Sequence, residues 1–240
     1  MAALKTLKKE LRQRIKLVLS ELEPESITSQ TSNAVETLLS MPEYKAAKRI
    51  SIYLSMPSGE ISTSGIVHDA LKQGKKVFIP YTYKMANPRE GQPKSIMDML
   101  ELTSMNDFAS LNPDGWGIPS LDKDSISQRE NSFGGKGITD GSFEGWNEAD
   151  SGLDLIVMPG MAFDSSLGRL GHGKGFYDFF LERCQTHSME TTARKPFLVG
   201  LALAEQLLPV KESVPMDTTD WRLNALVLGT GKLLRKADPS

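Results

Sequence analysis

Short apolar segments that alternate with helical patterns constrain the fold of this 240-residue chain more than any other feature. Several of them alternate isoleucine and leucine with polar residues or run on through valine and leucine, which is typical of strands. Strands separated by helices form a parallel sheet with helices on both faces. We therefore predict an α/β fold with a mostly parallel sheet, in one domain over residues 1–240. The predicted strands lie at residues 49–56, 77–79, 96–102, 153–158, 197–202 and 225–228.

The predicted helices follow from spacings of three and four between apolar residues. Leu7, Leu11 and Ile15 have this spacing at the amino end, which predicts an amphipathic helix that packs on the domain. A second helical pattern ends just before Pro42. Further helices are predicted over residues 62–73 and 176–184.

Residues 122–152 differ in composition from the rest of the chain. Glycine and polar residues dominate this segment, and no helical or strand period persists through it. A segment of this kind buries too little apolar surface to form a core of its own. We therefore predict a flexible surface insertion at 122–152.

Charge, hydropathy and cysteine content exclude several classes of protein. A formal net charge of −2 gives no overall positive field, so we expect no nucleic-acid partner. The apolar runs are far shorter than the ~20 residues that span a bilayer, so we expect no membrane association. A single cysteine, Cys184, fits a reducing compartment and predicts a cytoplasmic protein. The basic amino end resembles a mitochondrial presequence, but Glu10, Glu21 and Glu23 favour a permanent helix, and a mitochondrial location stays open.

The segment GRLGHGKGFYD at residues 168–178 is the strongest local signal, and it lies between a predicted strand and a predicted helix. Glycines let the backbone approach a ligand there, while amides at the start of a helix bind phosphate oxygens. Arg169 and Lys174 add positive donors. Gly175 replaces the Ser or Thr of a Walker loop, and the glycine spacing differs from that of a dinucleotide-binding loop. A phosphate-binding loop is therefore predicted, with a purely structural glycine turn as the alternative.

The same segment, preceded by MPGMAFD, is similar to the G-x-R-L-G-x-G-x-G-Y-Y-D signature of the 5-formyltetrahydrofolate cyclo-ligase family. The similarity extends to the basic amino-terminal helix, to RISIYLSMPSGEI, to the WGIP turn and to VPMDTTDWRLNALV. The resemblance implies ATP- and Mg²⁺-dependent cyclisation of 5-formyltetrahydrofolate to 5,10-methenyltetrahydrofolate, with release of ADP and phosphate. It also implies that ATP and a folate, which can be polyglutamylated, are the ligands and that Mg²⁺ is the cofactor. We further expect a monomer.

The resemblance implies roles for individual residues. Arg169 and Lys174 are expected to act in catalysis, and Asp178 and Asp220 are expected to ligate Mg²⁺, which prefers hard oxygen ligands. The family's K-x-x-L-R motif reads Leu4-Lys5-Thr6-Leu7-Lys8 here, so Lys8 keeps the charge of the arginine without its forked donors. The expected ATP contacts are Lys5, Lys8, Arg169, Leu170, Gly171, His172, Gly173, Lys174, Gly175, Phe176 and Tyr177. The expected folate contacts are Leu54, Met56, Glu60, Trp116, His172, Gly173, Lys174, Gly175, Phe176 and Tyr177.

Other interpretations of these residues stay open. A phosphate-binding loop does not identify its ligand, so a sugar-phosphate isomerase-like enzyme on a similar scaffold is the first alternative. The basic first helix suggests a non-catalytic nucleotide- or nucleic-acid-binding module as the second, although the net charge opposes it. Trp116 either stacks on a ring of the ligand or pins its loop to the core. Asp178 and Asp220 are alternatively a helix-start acid and a solvated turn residue.

Overall fold

A computed structural model of the chain describes residues 2–85, 88, 93–139, 151–190 and 195–236. The α-helices are α1 (Ala2–Ser20), α2 (Pro24–Ser40), α3 (Pro42–Ala46), α4 (Ser64–Lys72), α5 (Met105–Ala109) and α6 (Phe176–Glu190). The strands are β1 (Arg49–Ile52), β2 (Lys76–Lys84), β3 (Ser95–Leu102), β4 (Asn112–Pro113), β5 (Pro119–Ser120), β6 (Leu155–Met158), β7 (Ala162–Phe163), β8 (Arg169–Leu170), β9 (Phe197–Ala202), β10 (Ala225–Leu228) and β11 (Leu233–Arg235). Within these described ranges, no helix combines the length and the apolar composition that a membrane crossing requires.

One sheet joins seven of the described strands in the order β11-β10-β9-β6-β1-β2-β3. The strands from β10 to β2 pair in parallel, whereas β11 and β3 pair antiparallel at the two edges. All four residues of β6 are buried, because helices cover both faces of a central parallel strand. The predicted α/β fold with a mostly parallel sheet is therefore confirmed.

Two apolar cores lie on opposite faces of this sheet. On one face, α2 and α4 bury Leu38 and Ile66 against β1, β2 and β6. On the other face, α6 buries Phe180 against β3 and β6. Val157 belongs to the first core and its neighbour Ile156 to the second, because successive side chains of a strand point to opposite faces.

The carboxyl ends of the parallel strands β1, β6 and β9 meet at one edge of the sheet. The loop after β1 spans residues 53–63, and the chain after β6 forms the β7–β8 hairpin. Residues 171–175, the glycine loop, follow this hairpin and lead into α6. Beside these loops, α1 packs Leu11 and Ile15 against Leu170. Helix α1 thus covers the edge at which α/β proteins bind their ligands.

The described part of segment 122–152 is folded and partly buried, whereas we predicted a flexible surface insertion there. Residues Lys123–Gln128 form a 3₁₀ helix, and Phe133 is only 1% exposed. The Phe133 ring lies 5.4 Å from the ring of Phe180, and the Arg183 guanidinium lies 4.9 Å from its centre. One aromatic side chain therefore anchors this polar segment to α6, which composition does not reveal. The remainder of the predicted insertion, residues 140–150, lies outside the described residues.

Candidate active site

The β7–β8 hairpin presents Arg169 and the glycine loop at the carboxyl end of β6. Asp164 closes its turn, because Asp164 Oδ1 accepts hydrogen bonds from the backbone N–H groups of Ser166 and Gly168. Asp164 Oδ2 accepts a third bond from the N–H of Val214. A Cβ at Gly168 would lie 2.5 Å from Asp164 Oδ2, so only glycine fits there. Asp164 is therefore a structural residue that fixes the hairpin on which Arg169 stands.

Arg169 is a buried cation with 4% of its surface exposed. Its Nη2 donates to Asp178 Oδ1 at 3.1 Å, and its Nη1 donates to Pro159 O at 3.3 Å. The guanidinium also lies 5.5 Å from the centre of the Tyr177 ring. Its Nε has no hydrogen-bond partner among the described residues. Because a buried donor without a partner costs about 1–3 kcal/mol, this nitrogen is suited to bind a ligand.

The hydroxyl of Tyr177, in the first turn of α6, is a second buried donor beside Arg169. It is buried and has no hydrogen-bond partner in the described part of the chain. Burial raises the pKa of Tyr177 above its ordinary value, while the charge of Arg169 opposes this shift and that of Glu60 adds to it. The hydroxyl therefore keeps its proton at neutral pH and remains a donor. Two unpaired donors thus lie on neighbouring side chains, Arg169 and Tyr177.

The glycine loop is mostly exposed and leads directly into α6. Gly173 and Gly175 have φ angles of 97° and 70°, in the left-handed region that glycine adopts without strain. Lys174 is exposed and makes no ion pair with the described residues. The loop therefore places glycine backbone and a free cation before a helix of 15 residues, an arrangement in which N–H groups can bind an anion.

Glu60, in the loop after β1, is a buried carboxylate with 7% of its surface exposed. Its Oε2 accepts a hydrogen bond from the N–H of Met56 at 3.1 Å. Its Oε1 lies 3.2 Å from Nε2 of His172 in the glycine loop. Leu54 is buried in the same loop. The structure therefore brings the residues predicted for folate next to the residues predicted for ATP, with His172 as the direct link.

Trp116 lies in the connection between β4 and β5 and is 76% exposed. The adjacent Gly117 approaches Pro57 so closely that a Cβ would lie 2.8 Å from Pro57 Cγ. The alternative that Trp116 pins its loop to the core is therefore wrong. The tryptophan instead projects from a hairpin that lies against the segment carrying Met56.

Lys8 connects α1 to the carboxyl-terminal segment. Its Nζ lies 2.5 Å from Asp220 Oδ2 and 3.1 Å from Asp217 Oδ2. Burial lowers the pKa of Lys8, but the hydrogen bonds with Asp220 and Asp217 outweigh burial, so the pKa rises above its ordinary value. Hydrogen bonds from Thr219, together with the one from Lys8, lower the pKa of Asp217 to about 2. Lys8 and Asp217 therefore carry opposite charges at neutral pH.

The two carboxylates predicted for Mg²⁺ fit the ion by their chemistry. Mg²⁺ binds carboxylate oxygens, keeps several waters and phosphate oxygens, and needs only one or two protein carboxylates. Asp178 pairs with Arg169, however, and Asp220 pairs with Lys8. Among the described residues, no group of three or more His, Cys, Asp or Glu could hold a metal. An ion at either carboxylate would therefore have to compete with a bound cationic side chain.

The remaining predicted residues occupy more peripheral positions. Leu170 buries its side chain against α1, and its carbonyl accepts the N–H of Met161 at 2.7 Å. Its backbone pairs with Ala162 in the β7–β8 hairpin. Phe176 packs partly against the core beneath α6. Lys5 is exposed on α1 and makes no ion pair with the described residues.

The sequence analysis missed the residues of α1 that face the glycine loop. Arg12, which entered it only as part of a basic amino end, donates from Nε to Gly171 O at 2.8 Å. The available signal was the spacing of four between Lys8, Arg12 and Lys16, which places all three on one helix face. A cavity of ≈ 200 Å³ beside this face is lined by Arg12, Gln13, Lys16, Met161 and His172.

An α/β domain that gathers cations and a glycine loop at the carboxyl edge of its sheet is typical of enzymes that bind phosphate-bearing ligands. The profile of the 5-formyltetrahydrofolate cyclo-ligase family matches residues 4–229. The chain belongs to this family, as the glycine-loop motif predicted.

Relatives of the chain match nearly all of its length. A probable 5-formyltetrahydrofolate cyclo-ligase of Schizosaccharomyces pombe is 33% identical over 221 residues, which are 92% of this chain and 94% of that protein. The 5-formyltetrahydrofolate cyclo-ligase of Mus musculus is 33% identical over 220 residues, with 92% of each chain covered. The NMR structure of Aquifex aeolicus 5,10-methenyltetrahydrofolate synthetase has a TM-score of 0.66 and 25% identity, covering 98% of this chain and 95% of that one.

Proposed function

We propose that this chain catalyses the ATP-dependent cyclisation of 5-formyltetrahydrofolate to 5,10-methenyltetrahydrofolate, with release of ADP and phosphate. The observation that carries the proposal is a pair of buried donors beside the glycine loop, Arg169 Nε and the Tyr177 hydroxyl, which have no partner among the described residues. Membership of the cyclo-ligase family supports this assignment over that of a sugar-phosphate isomerase-like enzyme.

The reaction divides into two steps. The terminal phosphoryl group of ATP moves to the formyl oxygen of the folate, and ADP leaves. N10 then attacks the activated formyl carbon and loses its proton, and the formyl oxygen departs as part of inorganic phosphate. Such chemistry depends on aligning two ligands and neutralising the transferring charge, so it needs no side-chain nucleophile.

Arg169 is the residue that we assign to the transferring phosphoryl group. Its Nη atoms are held by Asp178 and Pro159, so the guanidinium is oriented before any ligand arrives and its Nε remains available. A preoriented cation in a buried site stabilises developing charge with little reorganisation. Tyr177 supplies a second donor beside it, and Lys174 adds a mobile cation from the exposed loop.

The nucleotide binds, in this proposal, between α1 and the glycine loop. Lys8 and Lys5 provide positive charge from α1, and the backbone N–H groups of residues 171–175 provide hydrogen bonds to phosphate oxygens. Because Lys8 already pairs with Asp220, phosphate binding exchanges one anionic partner of Lys8 for another.

The folate binds on the opposite side of His172. Glu60 is suited to the paired N–H donors of a pterin ring, since a carboxylate accepts two parallel hydrogen bonds. Its Oε1 exchanges His172 for the pterin, while Met56 N–H continues to hold Oε2. The exposed Trp116 ring is then available to stack on a ring of the folate.

Mg²⁺ is part of the proposal, with Asp178 and Asp220 as its protein ligands. When bound, the ion would neutralise phosphate charge. Asp178 would share its two oxygens between the ion and Arg169, so that Arg169 stays oriented, whereas Asp220 would turn from Lys8 and free that cation for phosphate oxygens.

We also propose a cytoplasmic monomer. The packing of Leu11 and Ile15 against the domain supports a permanent role for α1 over that of a cleaved presequence. A relative from Arabidopsis thaliana, 28% identical, is named a mitochondrial cyclo-ligase. Fractionation of cells that express the tagged chain, and light scattering of the purified protein, test these two points.

Turnover of the purified protein tests the proposed function. Protein, 5-formyltetrahydrofolate, ATP and Mg²⁺ are mixed, and the absorbance of the methenyl product is followed. We expect product only in the complete mixture, with ADP formed in equal amount. Product without ATP, or no product in the complete mixture, would contradict the proposal.

A further inference from the structure

The loop after β1, residues 53–63, supports most of the side chains that we assign to the folate. It contains Leu54, Met56 and Glu60, and its turn lies against the hairpin that presents Trp116. A loop of this length needs contacts of its own to keep one conformation, because ordering its backbone costs conformational entropy. The contacts that order this loop therefore decide where the folate-binding groups lie.

Tyr53, the first residue of the loop, makes two such contacts. Its side chain is only 3% exposed, and its hydroxyl donates to Ile61 O at 2.9 Å. Its own carbonyl accepts a hydrogen bond from Thr63 Oγ1 at 2.5 Å. Both partners are buried as well. Tyr53 thus ties the start of the loop to its end, at the residue directly after Glu60 and again two positions further on.

Thr63 makes its contact with Tyr53 from a position where threonine usually has another use. Thr63 is the N-cap of α4, and an N-cap threonine commonly accepts a hydrogen bond from a backbone N–H of the first helical turn. In α4, all of whose residues are described, the side chain makes no such bond, and the hydroxyl donates to Tyr53 O. The hydroxyl therefore orders the loop and not the helix, and departures of this kind from local preference are expected at functional sites.

The second end of Glu60 is fixed by the loop itself. Met56 N–H donates to Glu60 Oε2, while Oε1 points to His172. Burial raises the pKa of Tyr53 well above its ordinary value, and the charge of Glu60 adds to this shift. The phenol therefore keeps its proton and remains a donor to Ile61 O. The backbone beside Glu60 and one oxygen of its carboxylate are thus both held, which fixes the direction in which the carboxylate accepts hydrogen bonds.

We propose that Tyr53 is a positioning residue for the folate, which holds Glu60 in the orientation that accepts two parallel N–H donors of a pterin ring. This inference rests on the proposed function, because the folate is the proposed substrate. Tyr53 is buried and acts through Glu60. The loop 53–63 contains none of the residues that we assign to the nucleotide, so loosening it should weaken folate binding alone.

Tyr53→Phe is the direct test, because it removes the hydroxyl and keeps the ring. Tyr44→Phe is the matched control, since Tyr44 is also buried and donates to Asp69 Oδ2 at 2.7 Å, but lies on α3, ahead of β1. Steady-state kinetics measure kcat and the two KM values. We expect Tyr53→Phe to raise the folate KM about threefold to tenfold, the effect of one hydrogen bond, with the ATP KM nearly unchanged. Tyr44→Phe should leave both KM values unchanged.

Thr63→Val and Thr63→Ser provide a second test that does not depend on the folding of the Tyr53 variant. Valine keeps the shape of threonine without its hydroxyl, whereas serine keeps the hydroxyl. We expect Thr63→Val to raise the folate KM as Tyr53→Phe does, and Thr63→Ser to have a folate KM near that of the wild-type protein. Equal folate KM values in the two variants would show that the hydroxyl does not order the loop.

Three results of the kinetics would overturn the proposal. An unchanged folate KM in Tyr53→Phe would show that Glu60 keeps its orientation without the hydroxyl. An equal rise in the ATP KM would indicate a general effect on the site. A rise of the same size in Tyr44→Phe would indicate a loss of stability rather than of position.

Calorimetric titration of 5-formyltetrahydrofolate, at a saturating concentration of a non-hydrolysable ATP analogue, separates this role from the proposed function. We expect Tyr53→Phe to raise the folate Kd about threefold to tenfold. Weaker binding in the variant, with no turnover by the wild-type protein, would refute the proposed function and retain the positioning role. Turnover by the wild-type protein with the same folate Kd in both proteins would refute the positioning role alone. No folate binding to the wild-type protein would refute both.

Discussion

Arg169→Lys tests whether the reaction needs the forked donors of arginine or only its positive charge. In the wild-type protein the guanidinium donates to Asp178 and Pro159 with its two Nη atoms, and its Nε has no partner in the described part of the chain. One ammonium cannot occupy these three directions at once. We therefore expect the variant to keep the ion pair with Asp178 and to lose the donor that we assign to the transferring phosphoryl group.

The magnitude follows from that single lost bond. A hydrogen bond to a charged group contributes about 1.5–3 kcal/mol, which corresponds to a fall in kcat of about tenfold to 150-fold. The assay is kcat at saturating ATP, folate and Mg²⁺, with a thermal unfolding curve as the check on folding. Arg222→Lys is the matched control, because exposed Arg222 donates to Ser166 O at 2.9 Å in the same hairpin turn. Wild-type kcat in Arg169→Lys, with only the ATP KM raised, would refute a role in the chemical step.

Three further substitutions test other parts of the account. Asp178→Asn should remain folded, lower kcat at least tenfold and raise the Mg²⁺ concentration for half-maximal rate, because the amide keeps the shape and loses the charge. An unchanged curve in a Mg²⁺ titration would remove Asp178 from the metal site. Lys8→Ala should raise the KM for ATP more than that for folate, with exposed Lys9→Ala as control; equal shifts would return α1 to a structural role. Phe133→Ala should lower the free energy of unfolding, measured by urea denaturation, by about 3–5 kcal/mol, because the ring is buried against α6. A loss below about 1 kcal/mol would contradict its place in the core.

Six of the seven described strands of the sheet could be predicted because their signals are local, whereas the short edge strand β11 was not predicted. The run at 153–158 is apolar except for Asp154, and the run at 197–202 has no polar side chain. Short runs of this kind are typical of strands that are buried on both faces of a parallel sheet. Phe133 could not be assigned, because a lone aromatic residue in a polar segment has no period to indicate burial. The buried pair of Arg183 and Asp98 is equally invisible, since 85 positions separate the two residues.

The residues of the candidate site also include some that the sequence identified and some that it did not. The glycine motif identified Arg169 and Tyr177, but the unpaired state of Arg169 Nε and the Tyr177 hydroxyl depends on packing around the β7–β8 hairpin. Arg12 was not assigned, because its contact with Gly171 joins segments 159 positions apart. The spacing along α1 could have indicated that Arg12 lies on the same helix face as Lys8, but not which part of the protein that face contacts.

Transfer of the formyl oxygen to phosphate tests the central claim most directly. 5-Formyltetrahydrofolate labelled with ¹⁸O in the formyl group is converted in unlabelled water with ATP and Mg²⁺, and the released phosphate is analysed by mass spectrometry. The proposed reaction predicts one ¹⁸O atom in phosphate for each molecule of methenyl product. Unlabelled phosphate formed alongside the product, with the label in water, would contradict phosphoryl transfer to the folate.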